Sequence, residues 1–148
     1  MYVTDWKSPI GWLRIVASDT GVRSITPIAK PGVSDTSPII DQCVRQLEEY
    51  VSGSRVSFDL PLDHEGTPFQ QKVWKAARLI PHGETRTYGE LAVSVKSPGA
   101  SRAVGIALGK NPIPIVVPCH RIVPSAGGIG GFAWGREKKE WLLELERS

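Results

Sequence analysis

The sequence is poor in cysteine: its 148 residues hold two, Cys43 and Cys119. Two distant thiols exclude a disulfide framework, and the lack of any Cys-x-x-Cys pair excludes the usual zinc spacing. No metal and no cofactor are expected. No apolar run approaches the length of a membrane span, and no basic–apolar–small leader opens the chain. A free-thiol protein without span or leader is expected in the reducing cytoplasm, away from membranes. A strong excess of one charge is missing too: 18 Lys and Arg stand against 15 Asp and Glu, a net charge of +3. That balance permits a polyanionic partner without requiring one. There is no internal repeat and no low-complexity tract. What remains is 41% hydrophobic and 22% charged, ordinary for one globular protein long enough to bury a core.

The first third reads as sheet. Tyr2 to Trp6, Trp12 to Val16 and Val22 to Ile28 are short, β-branched or aromatic runs. Turn signals separate them at Ser8-Pro9-Ile10-Gly11 and Ser18-Asp19-Thr20-Gly21. After a Pro/Gly/Ser-rich loop, Ile39, Ile40, Cys43, Val44, Leu47 and Val51 recur at helical spacing, and Gly53 ends that helix. Cys43 lies on the apolar stripe and is expected to be core filler. Val56 to Leu60 reads as a further strand. Pro61 to Thr67 is the natural joint, giving an N-terminal lobe over 1–62 and a C-terminal lobe over 63–148.

The second lobe is helical. Phe69, Val73, Trp74, Ala77, Leu79 and Ile80 make one apolar face, closed by Pro81-His82-Gly83. Thr87-Tyr88-Gly89-Glu90 is a capping box, in which hydroxyl and carboxylate satisfy orphan amides reciprocally. Ser97 is placed to cap the next helix, with Pro98 at its first position. Two short helices in tandem form a helix-turn-helix pattern. On the second, Ala100, Ala103, Val104 and Ala107 are assigned inward, while Gly99, Arg102, Gly105 and Gly109 fall on the other side. Glycines are poor for helix stability. They suit either close approach of a large flat partner, with Arg102 projecting, or tight helix packing with Arg102 merely solvated.

Pro118-Cys119-His120-Arg121-Ile122-Val123 follows the apolar run Ile113 to Val117, expected to be buried strand or tight turn. A thiol there is either inert packing or an activated nucleophile. Activation needs a base in reach and a group that orients the base. His120 is the candidate base, although neighbours on an extended strand point to opposite faces. Glu144 and Glu146 on the last helix, anchored by Trp141 to Leu145, are the candidate orienters. Asn111 is placed to brace the turn before the thiol. His64 and His82 lie in polar turns and read as solvated.

The hexapeptide resembles the signature of the O6-alkylguanine-DNA alkyltransferases, the methylated-DNA–protein-cysteine methyltransferases. Gly66 to Trp74, Ile80 to Thr85, Thr87 to Ala92, Ser101 to Gly105, Asn111-Pro112 and Gly130-Gly131-Phe132 stand in the order and spacing of that family. The match is close from Gly66 onward and looser before it, through Ser8-Pro9-Ile10-Gly11.

The resemblance implies an α+β protein: a small N-terminal antiparallel sheet with a helix, ribonuclease H-like, and a C-terminal helical lobe containing a helix-turn-helix. It implies that Cys119 takes the alkyl group from O6 of guanine in DNA and keeps it, one turnover per molecule. His120 acts through a water, Glu146 orients His120, and Asn111 holds the turn. Tyr88 donates a hydrogen bond to the guanine leaving group. Arg102 fills the gap left by the flipped nucleotide. Gly99, Ser101, Gly105 and Thr87 meet duplex DNA from the minor groove without reading sequence. Tyr88, Ile122, Phe132, Ala133 and Trp134 wall the pocket, and the protein acts as a monomer.

Three positions depart from common relatives. Phe132 stands for tyrosine, Ala133 for serine, and Trp134 for glycine, so Trp134 is expected to narrow the pocket against bulky adducts. The alternative is a lesion-recognition protein without transfer, but such proteins lack the acceptor cysteine. A promoter-binding sensor would need a further regulatory domain. A thiol hydrolase would turn over repeatedly and would not need Arg102.

Overall fold

The computed structural model describes residues 1–147 and divides into two compact units, Met1–Glu65 and Gly66–Ser148. The mixed α+β class expected from the sequence is the one adopted.

In the first unit, β1 (Tyr2–Ser8), β2 (Gly11–Ala17) and β3 (Val22–Pro27) form an antiparallel sheet in that order. The period of two sets its buried face: Thr4 and Trp6 on β1, Leu13, Ile15 and Ala17 on β2, Val22 and Ile25 on β3. Trp6 pairs with Leu13 and Thr4 with Ile15 across the first ladder. Helix α1 (Pro38–Val51) covers this face. Its Ile40, Cys43, Leu47 and Tyr50 are all buried, each apolar side chain contributing roughly 1.5–3 kcal/mol on transfer from water. Ser37 caps α1, its Oγ accepting from the Ile40 amide at 3.1 Å. Burial pushes the Cys43 thiol up to about 12, so it stays protonated and inert.

Val56 to Leu60 is not a strand. A side chain replaces the missing ladder. Gln46 accepts from the Asp59 amide at 2.9 Å and donates to the Asp59 carbonyl at 3.0 Å. With both backbone groups satisfied, no partner strand is required. The following segment approaches β3 so closely that a Cβ on Gly21 would lie 2.7 Å from the Leu62 backbone.

In the second unit, α2 (Pro68–Arg78) starts from a Thr67–Gln70 capping box. It buries Val73, Trp74 and Ala77, while Leu79, expected on this apolar face, is 78% exposed. Leu79 is the C-cap, where the chain leaves the helical period. The buried Trp74 indole donates to the Ala107 carbonyl at 2.8 Å, joining α2 to α4 (Ser101–Gly109).

Helix α3 (Tyr88–Ser94) begins at the expected box: Thr87 Oγ1 accepts from the Glu90 amide at 3.0 Å, and Glu90 accepts from the Thr87 amide at 2.8 Å. Helix α4 does not begin at Ser97. Pro98 and Gly99 sit inside a turn closed by the Ala100 amide on the Ser97 carbonyl at 3.0 Å, with Gly99 at φ 87°. A Pro-Gly pair fits the centre of such a turn better than a helix start. Val104 and Ala107 face inward as assigned, joined by Leu108, while Ala103 is exposed.

Two short strands, β4 (Arg86–Thr87) and β5 (Ile122–Val123), pair in parallel. They place the first residue of α3 beside the Cys119 segment. Helix α5 (Arg136–Arg147) closes the unit with Lys139, Leu142, Leu143 and Glu146 buried.

Candidate active site

The turn before the thiol is built by one side chain. Asn111, buried, donates to the Val117 carbonyl at 2.9 Å and accepts from the Ile113 amide at 2.9 Å. The Val117 amide closes on the Ile113 carbonyl at 2.9 Å, and Ile115 takes φ 76°. That is a costly conformation for a β-branched residue, held by the bonds on either side. The turn delivers Cys119 to the first position of a short 3-10 turn, Cys119–Arg121.

Cys119 and His120 therefore sit on a 3-10 turn and not on the extended strand that would point them to opposite faces. His120 is fully buried, and its Nε2 lies 2.7 Å from Glu146 Oε2. Nδ1 has no hydrogen-bond partner among the described residues. Desolvation pushes the imidazole below its ordinary pKa, against the opposing pull of Glu146, so the ring is a neutral base at physiological pH. Of the two candidate orienters, Glu146 is the one on the ring, while Glu144 is exposed and pairs with Arg147 at 3.2 Å. His82 and His64 are half-buried rather than solvated.

Cys119 is 6% exposed. Burial pushes its thiol up to about 11, against the opposing pull of the Asn111 side chain and of the charge of Lys139. At neutral pH the sulfur is a thiol and not a thiolate, so it needs a base at the moment of attack.

Cys119 opens onto a cavity of about 300 Å³ lined also by Tyr88, Gly105, Leu108, Gly109, Gly131, Phe132 and Ala133. Tyr88 is half-buried, its pKa raised by burial and by the negative charge Cys119 carries once ionised. Its ring covers Gly105, where a Cβ would sit 3.6 Å from the ring edge. Two residues assigned to the pocket wall stand elsewhere. Ile122 is wholly buried on β5, its side chain in the core. Trp134 is not among the cavity's lining residues and meets Phe132 in an edge contact, ring centroids 5.7 Å apart. A second, more open groove shares Tyr88 and Gly105 and adds Gly89, Ser101, Arg102, Pro124, Ser125 and Ala126. Arg102 is exposed at its edge, and Gly99 is exposed in the preceding turn. The Thr87 hydroxyl is occupied by its capping role.

Two charged residues of the site were not singled out from the sequence. Arg121, 6% exposed, holds Glu146 with Nε at 2.9 Å and Nη2 at 2.9 Å. Lys139 is fully buried, donating to the carbonyls of Ile122 at 2.7 Å and Gly131 at 3.0 Å, and burial lowers its pKa to about 8. A signal existed for the second: Lys139, Leu142, Leu143 and Glu146 share one face at helical spacing, and charges on an apolar face need partners. Among the described residues no group of His, Cys, Asp and Glu is placed to hold a metal ion, and no helix is long and apolar enough to cross a membrane.

A buried thiol next in sequence to a histidine–carboxylate pair, opening onto a cavity beside two short helices in tandem, is the site of a candidate cysteine-nucleophile protein. Its relatives are specific. Residues 68–148 match the DNA-binding domain model of the 6-O-methylguanine DNA methyltransferases, and residues 1–64 match the ribonuclease-like domain model. The methylated-DNA–protein-cysteine methyltransferase of Methanosarcina mazei is 52% identical over 155 residues, covering 100% of this chain and 98% of its own. The protein of that name from Methanosarcina acetivorans is 43% identical, with 100% and 99% covered. The crystal structure of Mycobacterium tuberculosis OGT in complex with DNA is 40% identical, with TM-score 0.91 over 99% of this chain and 93% of that one. The chain belongs to the 6-O-methylguanine DNA methyltransferase family.

Proposed function

We propose that the protein repairs DNA by direct reversal, moving the alkyl group of O6-alkylguanine onto Cys119 once and irreversibly. The observation that carries this is the buried Cys119 with His120 and Glu146 behind it, facing a cavity walled by Tyr88. The thiol proton passes through a bridging water to Nδ1 of His120, the nitrogen left without a protein partner. Glu146 stabilises the imidazolium that forms. Sulfur then attacks the alkyl carbon in line. The S–C bond forms and the C–O6 bond breaks, its electron pair staying on the purine. The Tyr88 hydroxyl donates to guanine N3 as that charge develops, and the guanine anion finally takes up a proton. The thioether has no route back to a thiol, so each molecule acts once.

A thiol this buried cannot reach a stacked base, so the nucleotide is extruded. Arg102 enters from the minor groove and fills the vacated space. Gly99, Ser101 and Gly105 let the backbone approach without reading bases, and Thr87 contributes by fixing the start of α3. The lobe from residue 63 carries DNA binding and acceptor, and the lobe over 1–62 supports it. One copy of the chain supplies every group in this chemistry, which fits action as a monomer. Its unpaired cysteines suit the cytoplasm.

The test is incubation with duplex DNA carrying O6-methylguanine, followed by mass spectrometry. A stoichiometric gain of one methylene mapped to Cys119 is expected, and Cys119→Ala should bind DNA without gaining mass. Binding without any gain in the parent would mean lesion recognition instead.

A further inference from the structure

Glu146 is crowded with donors. Oε1 accepts from Arg121 Nε at 2.9 Å and from the Gly83 amide at 3.4 Å, and Oε2 accepts from Arg121 Nη2 at 2.9 Å while facing His120 Nε2 at 2.7 Å. The third arm of Arg121, Nη1, donates to the Ile80 carbonyl at 2.7 Å. The guanidinium is therefore fixed from two sides, and its fork meets the carboxylate with two parallel bonds.

This geometry bears on a choice the histidine must make. A neutral imidazole carries one proton. Either Nε2–H donates to an ionised Glu146 and leaves Nδ1 with its lone pair, or a protonated Glu146 donates to Nε2 and the ring proton sits on Nδ1. Only the first arrangement leaves a base that can receive the thiol proton. The second needs a neutral carboxyl group facing a buried guanidinium, which would then lack its counter-charge.

We propose that Arg121 is a positioning residue: its fork holds Glu146 as the carboxylate and so selects the His120 tautomer whose Nδ1 is free to accept a proton. The proposal rests on the alkyl-acceptor reading above. It also explains a tension in the site. The charged groups acting on His120 are Glu146 and Lys139 from α5 and Arg121 from its own turn. Glu146 raises the basicity of the ring, while Arg121 and Lys139 lower it. Arg121 thus weakens the base that it orients. The result is a neutral, directed histidine that takes up a proton transiently and does not rest as imidazolium.

Nitrogen-15 NMR of histidine-labelled parent protein reads the tautomer without any transfer. The expected spectrum of His120 shows a protonated Nε2 and an unprotonated Nδ1 between about pH 5 and 8. A proton on Nδ1 in the parent overturns the proposal. Arg121→Met should move the ring toward the Nδ1–H or charged form. It should also shift the acidic limb of the pH–rate profile upward by about one pH unit. A folded Arg121→Met protein with the parent's tautomer and profile overturns it as well. Arg121→Lys keeps the charge and loses the fork. It should leave the limb near the parent's position and slow transfer about tenfold through misalignment. A parent-like rate in that variant counts against the fork whether or not the methionine variant folds. A parent that shows the expected tautomer but gains no methylene mass would instead sink the acceptor reading and leave the tautomer assignment standing.

Discussion

The ammonium group of Lys139, a buried residue on α5, donates to the carbonyl of Gly131 in the pocket wall at 3.0 Å. Its second bond, to Ile122 at 2.7 Å, ties the same nitrogen to the strand that follows the thiol. One cation therefore clasps the pocket wall at Gly131 to the strand behind the thiol.

The clasp has a thermodynamic signature. Burial lowers the pKa of Lys139 from 10.5 to about 8. In the unfolded chain the lysine binds a proton up to its ordinary pKa, but in the folded protein it releases that proton near pH 8. Between those values the unfolded state holds more protons, so rising pH stabilises the fold through this group, by about 3 kcal/mol in total. Below pH 8 the buried charge is a cost. Lys139→Met removes the linkage. The parent should therefore gain on the variant by about that amount between about pH 8 and 10.5, measured by denaturant unfolding at both ends. The raised thiol of Cys43 is common to both proteins, while Cys119 loses the lowering charge of Lys139 in the variant, so the difference reads Lys139 together with its coupling to that thiol. A constant difference across the range would show that Lys139 stays charged in the fold.

How much of this was legible in the sequence follows from how local each signal is. The Thr87–Glu90 box starts α3 as read because its partners lie three residues apart. The sheet of β1 to β3 followed from short β-branched or aromatic runs between turn residues. The start of α4 was misplaced because Ser97-Pro98 carries a helix-start signal and Pro98-Gly99 a turn signal, and the positive φ of Gly99 decided for the turn. Val56 to Leu60 looked like a strand because its side chains suit one, while the Gln46 amide that satisfies its backbone is distant in sequence. The same limit hid Arg121. Its identity was plain, but its partners are the Ile80 carbonyl and Glu146, set by three elements meeting in space.

Trp134 acts on the pocket at second hand. It does not line the cavity, but it packs edge-on against Phe132, which does. Removing the indole leaves Phe132 free to swing outward and widens the wall. Trp134→Gly should raise the rate with O6-benzylguanine about tenfold relative to O6-methylguanine, within the range a single pocket contact commands. Phe132→Ala should have a larger effect in the same direction, because it removes the wall itself. Single-turnover rates with both free bases decide the matter. Unchanged selectivity in Trp134→Gly would show that Phe132 keeps its place without support.

Arg102 separates extrusion from chemistry. It is exposed on α4 at the edge of the groove that shares Tyr88 and Gly105 with the cavity, and it does not line the cavity itself. On the proposed reading, a cation there serves the phosphates and the base stack and not the transferring alkyl group. Arg102→Ala should therefore slow transfer from duplex DNA by about 10- to 100-fold, the loss of a few kcal/mol that would otherwise offset unstacking. Reaction with free O6-methylguanine base should stay within about twofold of the parent, since no base has to be extruded. Rates on both substrates, measured with the same protein preparation, give the ratio. Equal losses on duplex and free base would place Arg102 in the chemistry and remove it from the groove.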